Sequence, residues 1–315
     1  MPSLFESPHI PFELSSSRRT GGRARPTDTR LDLQRVRRGV YIPTSDWAAM
    51  GHDERYRAFI HATLACSPTT PTLSHYSAAA MRRLPIVGGW PETVHTVVSE
   101  RGGGRSSGVY TRHRTSHPPE VDVIDGVRCT SLERTIVDVA RTGSRASALS
   151  MADHAVRLGH TTTDRLLEED RRLGTGRGSH QSRALLAIVA PDAANGGESF
   201  VRLLLHDAGF VAPTLQHRID DSDGLVGYVD FAWLDAGIVL EFDGFRKYAT
   251  LEYTGGSPED VVWREKRRED RLRAVGLRVV RATWDDLTGP APRLLDLVSR
   301  AGAPRRRLGG NEGAR

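Results

Sequence analysis

The sequence has few features of secreted, disulfide-rich or membrane proteins. Its 315 residues include two cysteines, Cys66 and Cys129, too few for a disulfide framework or a four-thiolate zinc site. No apolar run approaches the roughly 18 residues that a membrane-spanning helix needs. The first residues, MPSLFESPHIPFEL, carry acids and prolines where a secretion signal has a basic start and an apolar stretch. We therefore expect a cytoplasmic protein with no membrane partner.

Lysine is also scarce. Of the 44 basic residues only two, Lys247 and Lys266, are lysines, and a genome rich in arginine codons would explain most of this bias. The two lysines still mark positions where a compact ammonium, whose pKa can shift, replaces a guanidinium. The formal net charge of +5 is compatible with a polyanionic partner.

The length suits two or three domains of about 100–200 residues each. The clearest linker is the stretch PDAANGG at the start of the last third. We expect the following divisions: a flexible N-terminus with a winged-helix-like remnant over 1–45, a mixed domain over 46–190, an α/β domain over 191–301, and a disordered tail over 302–315.

The last third contains an ordered series of predicted elements. Helical apolar spacing alternates there with short apolar runs typical of strands. The series is a helix over 197–210, strands over 214–219, 227–233 and 237–243, a charged helix over 257–276, a strand over 277–283 and a short helix near 291–300. Glu198 opens the first of these helices, and Lys266 lies on the charged helix, which we expect to cover one face of the sheet.

Pleat geometry predicts which side chains meet in the hairpin 227–243. A two-residue turn at 235–236 places Asp230 opposite Glu241, and a slip by one residue would mix apolar and polar faces, which burial disfavours. One face then holds Asp230, Glu241 and Asp243. The other face is expected to be wholly apolar, with Val229, Phe231, Trp233, Ile238, Leu240 and Phe242.

Directly opposed carboxylates have Cβ atoms about 4.5–5.5 Å apart and repel each other unless a cation lies between them. Carboxylate oxygens suit a hard cation, Mg²⁺ first and Mn²⁺ next. The alternative is that Asp230 and Glu241 face solvent on an edge hairpin. For Glu198 the alternative is favourable placement at a positive helix end. For Lys266 it is a solvated helix face with ordinary ion pairs.

Four pieces of this region carry a resemblance to a known family: GESFVRLLL, VDFAW, VLEFDG and EKRREDRLRAVGLRVVRATWDDL. In this order, over 197–287, they resemble a PD-(D/E)XK nuclease domain of the branch similar to very-short-patch-repair (Vsr-like) endonucleases. The resemblance implies a mixed sheet flanked by helices and metal-assisted phosphodiester hydrolysis. It assigns Asp230 to the motif aspartate, Glu241 to the glutamate of the (D/E)XK element, and Glu198 to the acid of the first helix.

The sequence departs from this family where the usual lysine, two residues after Glu241, is replaced by Asp243. That lysine helps to position and activate the attacking water. Either Asp243 is a third metal ligand and Lys247 or Lys266 supplies the ammonium, or the domain has kept the fold and lost hydrolysis. We favour the first explanation because both lysines of the chain lie in this domain.

The pieces RRGVYIP, LSHYSAAAMRRLP and GVRCTSLERTIVDVARTGSRASALSMADHAVRLG, within 33–160, resemble AbiEi-type antitoxins of type IV toxin–antitoxin systems. The resemblance implies a winged helix-turn-helix, a following mixed domain and repression of the protein's own promoter. Residues 1–32, however, lack a clean recognition helix. Arg134 and Asp138, four residues apart on a predicted helix, are expected to form a structural ion pair.

The sequence thus predicts an α+β N-terminal region, with a winged-helix-like remnant and a mixed domain, followed by an α/β restriction-endonuclease-like domain. The leading functional hypothesis is a Mg²⁺-dependent (or Mn²⁺-dependent) DNA endonuclease in defence or DNA processing. The alternatives are a non-catalytic DNA-binding regulator of antitoxin type, and an interaction module for a toxin protein encoded beside it.

Overall fold

The structure is a computed structural model that describes residues 15–16, 32–100, 106, 108–244 and 258–306. The described residues form eleven α-helices and three β-sheets, so the mixed α+β class is confirmed. The chain divides into two compact units. Unit 1 comprises the described residues of Met1–Ala155 and Gly159–Ile188, and unit 2 those of Val156–Leu158 and Val189–Arg315. Within the described residues, no helix has the length and apolar character needed to cross a lipid bilayer.

Unit 1 begins with a small sheet in the order β1-β3-β2. Its strands are β1 (Ser15–Ser16), β2 (Leu33–Arg37) and β3 (Val40–Pro43), and two helices follow, α1 (Thr44–Ala49) and α2 (His52–Ala65). The predicted hairpin over 33–43 is confirmed as the antiparallel β2–β3 pair. Most of the remaining predicted winged-helix-like remnant lies outside the described residues.

The larger sheet of unit 1 has five strands in the order β6-β5-β4-β8-β7. The strands are β4 (Thr72–Leu73), β5 (Val94–Ser99), β6 (Tyr110–Thr115), β7 (Val121–Ile124) and β8 (Val127–Thr130). The helices of this part are α3 (His75–Met81), α4 (Leu132–Thr142), α5 (Arg145–Arg157), α6 (Thr163–Arg172) and α7 (Ser179–Leu186). Apolar side chains of α2 and α3, including Ile60 and Met81, cluster with Leu73, Val94 and Cys129 of the sheet.

Unit 2 is built on a four-stranded sheet in the order β12-β11-β10-β9. Its elements are α8 (Gly196–Asp207), β9 (Thr214–Asp221), β10 (Gly224–Trp233), β11 (Ile238–Asp243), α9 (Pro258–Ala274), β12 (Arg278–Thr283), α10 (Trp284–Leu287) and α11 (Arg293–Ala301). The first three strands are antiparallel, and α9 precedes β12, which is parallel to β11. The predicted order of helix, three strands, helix and strand is therefore confirmed; the short helix α10 was not predicted.

The predicted hairpin register is confirmed where the strands pair, since Phe231 pairs with Leu240 and Trp233 with Ile238. The predicted pair of Asp230 with Glu241 is not part of this ladder in the described residues. The turn is closed by the N–H of Gly237, which donates to the carbonyl of Leu234 at 2.9 Å. The one-residue slip considered as the alternative is absent from the paired residues of these two strands.

The predicted apolar face is confirmed for five residues and wrong for Val229, and the face expected to hold the acids is itself largely apolar; the five residues are Phe231, Trp233, Ile238, Leu240 and Phe242. Phe231, Trp233 and Leu240 pack in a cluster with α8 and α11, whereas Val229 packs on the α9 side with Val239. The physical reason is that helices contribute apolar side chains to both clusters, so both faces of the sheet are buried. A strand covered on both faces is apolar along nearly its whole length, as Ile238–Phe242 is apart from Glu241.

The side-chain alternation of β10 changes at Asp230. The ladder between β9 and β10 joins Val229 to His217 and Phe231 to Leu215, but it does not join Asp230 to Gln216, which lies between them. Gln216 has φ +44°, in the left-handed region that non-glycine residues seldom occupy. This local distortion places Val229 and Phe231 in different apolar clusters although they are two residues apart.

The prediction of a disordered tail over 302–315 is partly wrong. Residues 302–306 lie against the end of α8: the N–H of Val211 donates to the carbonyl of Pro304 at 2.8 Å, and Arg306 donates its N–H to Gly209 at 2.8 Å. The Arg305 guanidinium lies 4.3 Å from the ring centroid of Phe210, which is buried. These contacts explain the order of this segment, and residues 307–315 lie outside the described residues.

The buried core of unit 2 gives a stability prediction. Phe231 is fully buried, whereas Tyr228, three residues earlier on β10, is 54% exposed. We expect Phe231→Ala to lower the free energy of unfolding by about 3–5 kcal/mol through lost burial and the cavity left behind. Tyr228→Ala is the matched control and should cost far less. Urea denaturation with hydrogen exchange of the unit 2 strands measures both, and equal losses would contradict this packing.

Candidate functional site

The predicted acids of unit 2 form two pairs, and the members of each pair contact one shared side chain. Glu198 and Asp230 share one hydrogen-bond donor, the side-chain amide of Gln216. Glu241 and Asp243 share one cation, the guanidinium of Arg281. Neither Gln216 nor Arg281 was predicted from the sequence as a site residue.

Glu198 lies in the first turn of α8 and is 3% exposed. Its Oε2 accepts hydrogen bonds from the N–H of Ala194 at 2.8 Å and from Nε2 of Gln216 at 3.1 Å. Its Oε1 accepts from Nδ2 of Asn195, the N-cap residue, at 2.7 Å. Glu198 therefore has the favourable helix-start position that the sequence suggested, and it also contacts the residue that holds Asp230.

The glycine before Glu198 lets α8 approach the sheet closely. A Cβ on Gly197 would lie 2.1 Å from an atom of the Phe242 ring, a distance that no side chain tolerates. The sequence thus permits the first turn of α8, with Glu198, to sit directly against the end of β11.

The Asp230 carboxylate occupies the position where β10 and β9 skip a pair. Its Oδ1 accepts from Nε2 of Gln216 at 3.1 Å, and its Oδ2 accepts from the backbone N–H of Phe242 at 2.8 Å. Because that amide belongs to the peptide joining Glu241 to Phe242, the Asp230 carboxylate lies beside the backbone of Glu241. This contact joins Asp230 to the backbone beside Glu241 and does not itself bring the two carboxylates together.

Glu241 is 4% exposed and faces α9 and β12. Nη1 of Arg268 lies 2.6 Å from its Oε1, and Nη2 of Arg281 lies 3.6 Å from its Oε2. Burial raises the pKa of Glu241, while the nearby Arg268 and Arg281 charges act in the opposite direction. Among the described residues Glu241 Oε1 has an ion-pair partner but no well-aligned hydrogen bond.

Asp243 is half-buried and lies 3.4 Å from Nη1 of Arg281. Arg281 also contacts Glu265 at 2.6 Å and Glu269 at 3.1 Å, both on α9. The resulting network joins β11, β12 and α9 through one guanidinium. Arg281 on β12 is the strand partner of Glu241 on β11, so the parallel register places the guanidinium beside the acids of β11.

Of the two candidate lysines, the structure describes Lys266, which is exposed on α9. Within the described residues it makes no ion pair with the acids of the site. Lys247 lies outside the described residues. The cations beside Glu241 are instead Arg268 and Arg281. The spacing of three residues along α9 could have indicated the ion pair of Arg268 with Glu265, at 3.3 Å, but not the contact of Arg268 with Glu241.

The donor chemistry of these residues fits a hard divalent cation, since carboxylate oxygens are the ligands that Mg²⁺ prefers. Buried Glu241 Oε1, without a well-aligned hydrogen bond, is an oxygen that such a cation would satisfy. In the part of the chain that the structure describes, no three His, Cys, Asp or Glu side chains converge as a preformed metal site. The residues that would hold such an ion are Asp230, Glu241 and Asp243; the Asp230 carboxylate contacts Gln216 and the Phe242 N–H, whereas Glu241 contacts Arg268 and Arg281.

The raised pKa of Glu241 gives a pH prediction. In the folded protein the Glu241 carboxyl keeps its proton to a higher pH than in the unfolded chain, where its pKa has the ordinary value of 4.5. The unfolded state thus binds fewer protons in this window, so the free energy of unfolding falls as the pH rises from 4.5 through the raised pKa. The stability of the wild type relative to Glu241→Gln should therefore decrease from about pH 4 to neutral pH.

Urea denaturation of both proteins across this range measures the effect. Asp235→Asn, in the exposed β10–β11 turn, is the control and should show a smaller change, because an exposed carboxylate loses little hydration on folding. A stability difference between wild type and Glu241→Gln that is flat with pH would contradict the burial of a titrating Glu241.

Comparison with known proteins finds relatives for part of the chain. No protein-family model matches it. Two proteins of Mycobacterium tuberculosis are similar to it: "Uncharacterized protein MT2308" of strain CDC 1551 / Oshkosh and "Uncharacterized protein Rv2248" of strain ATCC 25618 / H37Rv. Each is 29% identical over 177 residues, which is 56% of this chain. The chain spans 62% of the length of these relatives, whose names state no activity.

Proposed function

We propose that unit 2 is a metal-dependent DNA endonuclease that hydrolyses phosphodiester bonds with Mg²⁺ or Mn²⁺. The observation that carries the proposal is the position of Asp230. Its carboxylate is tied to Glu198 through Gln216 and lies against the peptide that follows Glu241. Three acids are thereby drawn to one end of a sheet whose element order is helix, three strands, helix and strand.

The burial of these acids supports a functional role. Glutamate is almost never fully buried without a partner, because a carboxylate loses its hydration there. Unit 2 nevertheless buries both Glu198 and Glu241 to within 4% of full burial. Perturbed and buried carboxylates cluster at functional sites more often than elsewhere, since catalysis needs charges that a stable core does not.

The roles of the residues follow from their contacts. A bound divalent ion would lower the pKa of a water molecule and stabilise the charge that develops on the phosphorane. Asp230 and Glu241, with Asp243, supply oxygen ligands. Gln216 holds Asp230 in place, and Glu198 orients Gln216.

The cations at the site have a separate role. Guanidinium groups bind phosphate oxygens through charge-assisted, bidentate hydrogen bonds. Arg268 and Arg281, which contact Glu241, are therefore placed to hold a phosphate of the DNA strand beside the acids. We further propose that an ammonium, from Lys247 or Lys266, steadies the nucleophile, and that the antitoxin-like N-terminal region directs or regulates this activity.

The alternative is a non-catalytic DNA-binding regulator of antitoxin type, with a nuclease-like unit 2 that docks onto DNA or onto a toxin protein. It is favoured by two observations. Asp243 stands where the resemblance expects lysine, and the Glu241 charge is already compensated by Arg268 and Arg281.

Plasmid cleavage distinguishes these functions. The full chain is incubated with supercoiled DNA and Mg²⁺ or Mn²⁺, together with Asp230→Asn and Glu241→Gln, which preserve side-chain shape. We expect both variants to lose cleavage by at least about 100-fold, the scale of removing a group that stabilises the transition state. Asp235→Asn, in the exposed turn between the same strands, is the control and should cleave as the wild type does.

Lys247→Ala and Lys266→Ala are tested singly. The variant that loses cleavage identifies the lysine that supplies the ammonium. Wild-type cleavage that persists in Asp230→Asn and Glu241→Gln would contradict the proposed site. Salt-sensitive DNA binding by all variants, with no cleavage by the wild type, would establish the regulator instead.

A further inference from the structure

Unit 1 contains a polar cleft of about 360 Å³ that none of the features above explains. Its residues come from the start of α3, from β5 and the residue after it, from β6 and the segment after it, from α4, and from the segment after α6. Those on which the argument depends are His75, His113, Arg114, Arg134, Asp138 and Arg177. The volume is within the range of small-molecule sites, about 300–1,000 Å³.

Histidines form one wall of this cleft. The rings of His75 and His113 are stacked, with centroids 3.5 Å apart and planes 15° from parallel. Nε2 of His113 lies 3.0 Å from Nδ1 of His95, so one ring donates its N–H to the other. Burial lowers the pKa of both His95 and His113 to about 4, which keeps these rings neutral at neutral pH.

The stacking disfavours a shared metal ion. A histidine binds a metal through a nitrogen lone pair in the plane of its ring, and two parallel rings 3.5 Å apart direct these lone pairs along parallel lines. The described residues also contain no converging group of three metal-ligating side chains. The geometry of the His75 and His113 rings is therefore not that of two ligands of one metal ion.

The backbone at His75 is strained. Its φ is +49°, in the left-handed region, although His75 is the first residue of α3 and is buried. Such conformations are unfavourable and cluster at functional sites, where the surrounding structure enforces them. Here the strained residue is the one that stacks on His113.

Asp138 brings an unpartnered acceptor to the cleft. The predicted ion pair is confirmed, with Nε of Arg134 2.8 Å from Asp138 Oδ1, and both residues are buried. Asp138 Oδ2 lies 3.7 Å from Nδ1 of His75 and has no hydrogen-bond partner among the described residues. Burial raises the pKa of Asp138 to about 6. An orphaned, buried carboxylate oxygen in a cleft is complementary to a hydroxyl or amino donor of a ligand.

Two guanidinium groups at the cleft are uncompensated. Arg114 and Arg177 line it and are exposed, and in the described chain their side chains have no ion pair or hydrogen bond. The acids of the lining are Glu100 and Asp138, and Asp138 is already paired with Arg134. The mouth of the cleft therefore has an excess of positive charge, which attracts anions.

We propose that this cleft is a nucleotide-binding site, in which Arg114 and Arg177 bind the phosphate and Asp138 Oδ2 accepts a hydrogen bond from a hydroxyl or amino group of the same nucleotide. The neutral His113 ring, which is partly exposed at the cleft and stacked on the buried His75, provides a stacking surface for the base. The nucleotide is either free in solution or part of a nucleic-acid strand. The site lies in unit 1 and does not depend on the endonuclease proposal.

Histidine signals in ¹H–¹³C NMR spectra of the full chain test the proposal. The probes are inorganic phosphate, adenosine 5′-monophosphate and a short single-stranded oligonucleotide. We expect the monophosphate or the oligonucleotide to shift the His113 signal in a saturable way, and inorganic phosphate to bind more weakly because it lacks the sugar and base. Tighter binding of the oligonucleotide indicates a strand as the ligand; binding of the monophosphate alone indicates a free nucleotide.

The variant R114A/R177A changes exposed side chains only and should weaken binding at least tenfold. Arg171→Ala, exposed on α6 and not part of the cleft lining, is the matched control and should bind as the wild type does. Asp138→Asn should weaken nucleotide binding but not phosphate binding. The proposal is overturned if no probe shifts the histidine signals, or if the shifts persist unchanged in R114A/R177A.

Discussion

The hydrogen bonds that hold the Asp230 carboxylate are the contacts on which the arrangement of unit 2 depends. One carboxylate oxygen accepts a hydrogen bond from the side-chain amide of Gln216, and the other accepts one from the backbone N–H of Phe242. The Asp230 side chain thus stands where a regular strand ladder would have hydrogen bonds between backbone groups. The skipped pair between β9 and β10 and the left-handed backbone of Gln216 accompany this exchange. A half-buried acid on a sheet strand is tolerated because its oxygens are satisfied there.

The charged side chains around Asp230 lie on both sides of the unit 2 sheet. Gln216 connects Asp230 to Glu198 on α8, while Glu241 on the next strand faces the arginines of α9 and β12. Removing one partner from such buried networks costs several times more than an exposed ion pair contributes, since the remaining charge is left without compensation. The network therefore keeps α8, β11 and α9 in fixed relation around the acids, as a site built on rigid elements requires.

Sequence reasoning could predict those parts of the fold that follow from local periodicity. The element order of unit 2 and the register of Phe231 and Trp233 are confirmed, because burial leaves one acceptable pairing. The β7–β8 hairpin of unit 1 was missed, although Asp125 and Gly126, both with positive φ, carry the Asp-Gly signal of a tight turn.

The positions of Gln216, Arg268 and the histidine cleft depend on contacts between residues distant in sequence. No period reveals such contacts: His75 and His113 come from different elements and meet through the packing of α3 against the sheet. The central claim, that the acids around Asp230 can share a divalent cation, is tested most directly by calorimetric titration of the full chain with Mn²⁺. The account predicts saturable binding at one site that Asp230→Asn and Glu241→Gln each abolish. Absence of binding, or undiminished binding in both variants, would contradict it.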